Sequence, residues 1–151
     1  DSMGQSYLMP PNVAGWGAYY QVPSFSKLWI NSTYIKKRFD VISALVYTGV
    51  PIGGNTLKMN HLGFLNGLSD PSNAIQVIDD VCDVFFPKPI SAVDKLTLKA
   101  ILTNGLPDFE WTLQYNDYLA DPSNSTFYLP VTQRMQALMN VVLKMPQFQT
   151  I

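Results

Sequence analysis

The sequence predicts an all-α protein: an irregular bundle of four to five helices with a long aromatic, Pro- and Gly-rich N-terminal loop wrapped around it. Three observations carry this expectation. Several segments place apolar residues three and four apart, the spacing of one helix face. Helix-starting and helix-stopping residues bracket those segments at short intervals. Residues 1–30, by contrast, hold only Asp1 and Lys27 as charges among six aromatic rings and many turn formers, and neither helix nor strand periodicity survives that many breakers.

The wrapping loop comes first. Tyr7, Trp16, Tyr19, Tyr20, Phe25 and Trp29 are interleaved with Gly4, Pro10, Pro11, Gly15, Gly17 and Pro23. Such a segment belongs against apolar surface, because each large side chain left in water forfeits roughly 1.5–3 kcal/mol. The opening run Asp1-Ser2-Met3-Gly4-Gln5 has no basic stretch followed by an apolar one, and reads as a processed or recombinant piece of something longer.

The first helix starts at Asn31 or Ser32. Its stripe is Ile35, Phe39, Ile42 and Val46, with Lys36, Lys37, Asp40 and Ser43 facing away, and Gly49 and Pro51 stop it. Residues 51–60 read as a loop or one short strand. A second helix follows Asp70-Pro71, a capping carboxylate before a proline at the first helical position, and its stripe is Ile75, Ile78, Val81, Cys82 and Phe85, ended by Pro87 and Pro89. Ser91 to Asp94 forms a capping box that opens a third, with Leu96, Ala100 and Ile101 inward and Asn104-Gly105 as the stop. A fourth runs from about Pro107 through Tyr118 with Phe109, Leu113 and Leu119 inward. The last spans roughly Leu129 to Lys144 on Met135, Leu138, Met139 and Val142, with Pro146 beyond its end. Asp-Pro-Ser-Asn occurs at 70–73 and again at 121–124 between unlike flanks, so one helix-start solution is used twice.

Composition limits function. At 151 residues the chain is one domain, a helical body over 31–151 joined to the loop, and 47% hydrophobic against 14% charged residues excludes charge-driven disorder. A net charge of -1 offers no footprint for nucleic acid and no polybasic attraction to anionic lipid. One Cys and one His make neither a disulfide within the chain nor a zinc site of several such ligands, so no metal and no cofactor is expected. No unbroken apolar stretch reaches the 18 or so residues of a membrane span.

Single residues add little chemistry. His61 is the sole imidazole, and Thr56, Ser69 and Asp70 near it lack catalytic spacing, which favours a structural or surface histidine. Cys82 sits on an apolar stripe, where burial makes a thiol inert. Asp79, Asp80 and Asp83 share a helix side without a calcium loop after them, and Lys36, Lys37 and Arg38 are a short basic run; both read as solvated faces. Asn31-Ser32-Thr33 and Asn124-Ser125-Thr126 fit the glycosylation pattern, yet helix capping explains both.

The run Gly4-Gln5, Pro10-Pro11-Asn12-Val13 and Gly15-Trp16, followed by Leu28-Trp29-Ile30-Asn31-Ser32 and a basic helix around Arg38, resembles the signature of the bacterial family catalogued as domain of unknown function 1800. Pro89-Ile90-Ser91 and the closing Leu143 to Gln149 resemble its C-terminal part, with Gln147 where the family usually has Glu. The resemblance implies the C-terminal portion of a longer exported or envelope protein of the bacterial periplasm, of a family without an established activity. By motif match it carries over Gly4, Pro10, Pro11 and Gly15, and as binding residues Gln5, Asn12, Trp16, Trp29 and Arg38. It also implies two partners, the upstream part of the same protein and another exported protein. The expected function is a non-catalytic helical scaffold or interaction module. The alternatives are the C-terminal part of an envelope enzyme whose catalytic residues lie upstream, with the Trp16 loop lining its cleft, or a glycan- or peptide-binding module with exposed aromatics.

Overall fold

A computed structural model describes residues 32–149. The wrapping loop, Asn31, and the carried-over Gln5, Asn12, Trp16 and Trp29 lie outside the described residues. Within them the chain forms α1 (Ser32–Ser43), a π-helical turn (Ala44–Thr48), β1 (Val50–Ile52), β2 (Asn55–Leu57), α2 (His61–Leu65), α3 (Ala74–Phe85), α4 (Ala92–Thr103), α5 (Asp108–Ala120), α6 (Ser125–Val142) and α7 (Pro146–Gln149). The all-α expectation holds for this part. Among the described residues the one sheet is a two-stranded hairpin, where the sequence predicts a loop or one short strand. Val50 pairs with Leu57 and Ile52 with Asn55. Gly53 and Gly54 both adopt positive φ (55° and 84°), which a tight two-residue hairpin turn needs at both central positions.

The longest helix, α6, organises the core. It packs against α2, α4, α5 and the π-helical turn, while α3 packs on α4 and α5. Val131, Met135, Leu138, Met139 and Val142 are all fully buried along it, the stripe that periodicity marks from Met135 onward. The helix begins at Ser125, four residues before the expected Leu129, because the Asn124 side chain accepts from the Thr126 N–H at 3.0 Å. It runs through Pro130, which lacks the N–H that would reach the carbonyl one turn back.

The two Asp-Pro-Ser-Asn copies fold alike. Asp70 and Asp121 each accept from the Ser two residues on, through the backbone N–H at 3.2 Å and the hydroxyl at 2.7 Å. Asn73 and Asn124 then cap α3 and α6, each accepting from an N–H at 3.0 Å. This corrects the expected capping carboxylate: Asp70 holds the turn, Pro71 lies in it, and Asn73 starts the helix at Ala74. The Ser91 cap of α4 is as expected. Its hydroxyl accepts from the Asp94 N–H at 3.1 Å, although Asp94 returns its bond to the Ser91 hydroxyl (2.9 Å) rather than to the backbone.

The phase of three helices differs from the periodicity reading. On α3, Ile75 is exposed while Ala74 and Val77 join Ile78, Val81 and Cys82 inside, and Phe85 is half-buried against Phe64 and Phe148. On α4, Leu96 and Ala100 face outward and Leu98, Leu102 and Thr103 inward. On α5, Phe109, Leu113 and Leu119 are exposed and Trp111, Tyr115 and Tyr118 are buried. The physical reason on α5 is polar satisfaction together with ring area. The Trp111 indole donates to the Pro71 carbonyl (3.0 Å), Tyr115 donates to Asn66 Oδ1 (3.1 Å), and Asn66 Nδ2 donates to the Tyr118 hydroxyl (3.1 Å). Aromatic bodies can then be buried with no polar tip left unpaired. Ser43 also turns inward, accepting from Lys144 Nζ at 2.6 Å and donating to Asn140 Oδ1 at 3.3 Å.

Candidate functional site

Two of the side chains displaced from the expected core, Ile75 and Leu96, line a surface groove. Between α3 and α4 runs a groove of about 290 Å³, with Ile78 and Ala92 among its lining and Ile75 and Leu96 standing exposed along it. Leu96 is 62% exposed and Ile75 53%. The charges at the groove are already paired. Lys95 Nζ lies 2.6 Å from Asp79 Oδ1, and Lys99 Nζ lies 3.0 Å from Asp108 Oδ2 at the start of α5. The hydrogen bond to Asp79 also raises the Lys95 pKa above its ordinary value, so the ammonium stays charged. Chemically the groove is an aliphatic slot beside compensated ion pairs.

The titratable residues singled out by the sequence are occupied with structure. His61 is buried, and its Nε2 lies 2.9 Å from the Val46 carbonyl in the π-helical turn. A carbonyl only accepts, so Nε2 carries the proton and Nδ1 is a buried acceptor without a partner. Burial is the main reason its pKa falls below 6.5, with the Val46 bond opposing the shift. The Cys82 thiol is buried and its pKa is pushed up by desolvation, as a packing role requires. The three carboxylates of α3 do not act together. Asp79 pairs with Lys95; Asp80 accepts from the Ser69 N–H and hydroxyl and from Gln76, each at 2.7 Å; Asp83 is exposed. The Ser69 and Gln76 bonds hold the Asp80 carboxyl below the usual carboxylate range and tie the segment before α3 to the helix. Among the described residues no three His, Cys, Asp or Glu side chains converge as a metal would need.

Of the carried-over residues, Arg38 alone is described. It is half-buried, not on a solvated face, and donates from Nη1 to Gln149 Oε1 at 3.4 Å, while its Nε is buried without a partner. Gln149 in turn donates to the Leu143 carbonyl at 2.6 Å, so Arg38 links α1 to the C-terminal turn. Its neighbours do stay outside: Lys36 pairs with exposed Asp40 at 2.8 Å, and Lys37 Nζ lies 5.8 Å from the Tyr34 ring centre.

No protein-family model matches the chain, and neither a curated protein nor a solved structure matches it. Its functional reading therefore rests on geometry and on the motif residues. Periodicity missed the exposure of Ile75 and Leu96, yet a signal was present. Helix α4 carries Val93 and Leu96 besides Leu98 and Leu102, more aliphatic side chains than one face holds.

The His61 environment sets an acid response. Because the folded-state pKa is depressed, the unfolded chain takes up its proton first, and stability is lost as pH falls from about 6.5 toward the folded value. Urea unfolding across pH 7.5 to 5 is expected to show falling stability on the acid side. His61→Gln should flatten that slope whatever it does to stability at neutral pH. An unchanged slope in the variant would contradict a buried neutral imidazole.

Proposed function

We propose that the chain is a non-catalytic helical interaction module that seats an amphipathic helix of a partner protein in the α3–α4 groove. The observation that carries this reading is the pair of exposed aliphatic side chains, Ile75 and Leu96, lining one groove beside ion pairs that are already neutralised. Full burial of a side chain of this type is worth roughly 1.5–3 kcal/mol. With Asp79 and Asp108 balancing the two lysines, a partner gains by apolar fit and not by net charge. The helix-in-groove mode supplies such a fit, with aliphatic anchors three and four residues apart. Catalytic chemistry finds less support, because His61 is bound to a backbone carbonyl, Cys82 is buried, and Asp79 and Asp80 are both engaged. The motif resemblance adds the context of an exported bacterial envelope protein, whose upstream part or exported companion would supply the helix.

The test is selection of a displayed library of helical peptides on the protein, with counter-selection on an Ile75→Asp/Leu96→Asp double variant shown to be folded by circular dichroism. Recovered peptides should carry an uncharged aliphatic face and bind the double variant about tenfold or more weakly. Equal binding to both proteins would overturn the reading, as would failure of any peptide to enrich. Self-association that depends on these two residues would replace it with a homodimer interface.

A further inference from the structure

We propose that the outward face of α5 is a second docking surface, one that seats a partner helix carrying lysine or arginine beside a short aliphatic stripe. Phe109 and Leu113, one turn apart, are 58% and 53% exposed, and Leu106 just before the helix is exposed as well. Asp117 follows one turn further on and is also exposed. Residues four apart on a helix lie one above the other, so Phe109, Leu113 and Asp117 make a single strip. The strip lies on the side of α5 away from the buried Trp111, Tyr115 and Tyr118, and none of its residues lines the α3–α4 groove.

Charge tells this face from the groove and names its occupant. Helix α5 holds Asp108, Glu110 and Asp117 and no Lys or Arg. Asp108 is already paired with Lys99, whereas among the described residues no ion pair and no side-chain hydrogen bond reaches Asp117. Asp117 also stands in the last turn of α5, which contains no basic residue, and Asp121 adds a second carboxylate at the cap. The end of a helix carries the negative pole of its dipole, so a carboxylate there is disfavoured and a cation is favoured. The Asp121 carboxylate is occupied with Ser123, through the N–H at 3.2 Å and the hydroxyl at 2.7 Å. Asp117 is therefore the group left to meet a cation from outside.

The order of residues along the strip sets the pattern of the partner. Its aliphatic side chains meet Phe109 and Leu113, and its Lys or Arg meets Asp117, about 6 Å further along the axis, the rise of four residues. The cation thus stands three or four residues from an apolar anchor, on one face of an amphipathic helix. A second copy of α5 does not fit, because it brings three carboxylates and no cation. The α3–α4 groove calls for a different helix, since Asp79 and Asp108 already balance its two lysines. Opposite charges across the α5 face add selectivity to an apolar contact of modest size.

Two synthetic amphipathic helical peptides with the same leucine stripe, one flanked by lysine and the other by glutamate, are titrated into the whole chain with its isoleucine and leucine methyls labelled. The lysine peptide should shift the Leu113 methyls saturably, and the glutamate peptide should bind that face about tenfold or more weakly. Asp117→Lys should reverse the preference, and Asp117→Asn should bring the two peptides close together; both variants change an exposed side chain, and circular dichroism checks their fold. Shifts confined to Ile75 and Leu96 would overturn the proposal and leave the groove standing. Equal binding of the two peptides at Leu113 would overturn it too, as would an unchanged preference in Asp117→Lys or the absence of any saturable shift at Leu113.

Discussion

Replacing Trp111 by Ala is expected to cost about 3–5 kcal/mol of folding stability, the range for emptying a buried aromatic site. Replacing Phe109, two residues earlier on α5, is expected to cost under about 1 kcal/mol. Trp111 is 0% exposed and stacks on Tyr115 with ring centres 6.3 Å apart; Phe109 is 58% exposed. Truncating the tryptophan also strips the Pro71 carbonyl of its indole donor, which loosens the turn leading into α3. Against a total stability of about 5–15 kcal/mol for a domain, the first change brings the protein near unfolding. Urea midpoints of the two variants check it. Equal losses would mean that α5 presents its other face to the core.

The second large effect is expected on α4, where the comparison holds side-chain chemistry constant. Leu98→Ala should cost about 2–5 kcal/mol, since Leu98 is fully packed and the cavity relaxes only partly. Leu96→Ala should cost under about 1 kcal/mol, since that side chain already stands mostly in water. Two leucines two positions apart lie on opposite sides of a helix. The difference in melting temperature between the variants therefore reads the rotational phase of α4. A larger loss at Leu96 than at Leu98 would place the groove residues in the core and remove the proposed docking surface.

Helix positions were legible where the chain offered one apolar set and a clear start. The α6 stripe of Met135, Leu138, Met139 and Val142 has polar Gln133, Arg134, Gln136 and Asn140 around it, so only one face could turn inward. The start of α3 was legible as an event but not as a residue. Asp70 before Pro71 has the chemistry of a cap, and so does Asn73; the bond from the Ser72 hydroxyl to Asp70 commits the aspartate to the turn. On α5 the spacing of Phe109 and Leu113 equals that of Trp111 and Tyr115, and periodicity has no means to choose between them. Asn66 and Pro71, more than 35 residues away in sequence, make the choice by satisfying the aromatic polar tips.

The candidate site was illegible for the same reason. Ile75 and Leu96 match the helical spacing of core residues, and their exposure follows from how α3 and α4 pack, a tertiary fact. Arg38 was misplaced on a solvated face because its neighbours Lys36 and Lys37 do lie outside, whereas the turn of the helix brings the guanidinium to Gln149. His61 is read from the sequence as a structural or surface histidine and Cys82 as a packing residue; both are buried, His61 against the Val46 carbonyl.

Methyl NMR of the chain bound to a peptide recovered by selection tests the docking surface at atomic resolution. With isoleucine and leucine methyls labelled, the Ile75 and Leu96 resonances should shift most and show intermolecular contacts to the aliphatic side chains of the peptide. Shifts confined to methyls of α5, such as those of Leu113 and Leu119, with Ile75 and Leu96 unmoved, would contradict the α3–α4 groove as the place where this protein holds its partner.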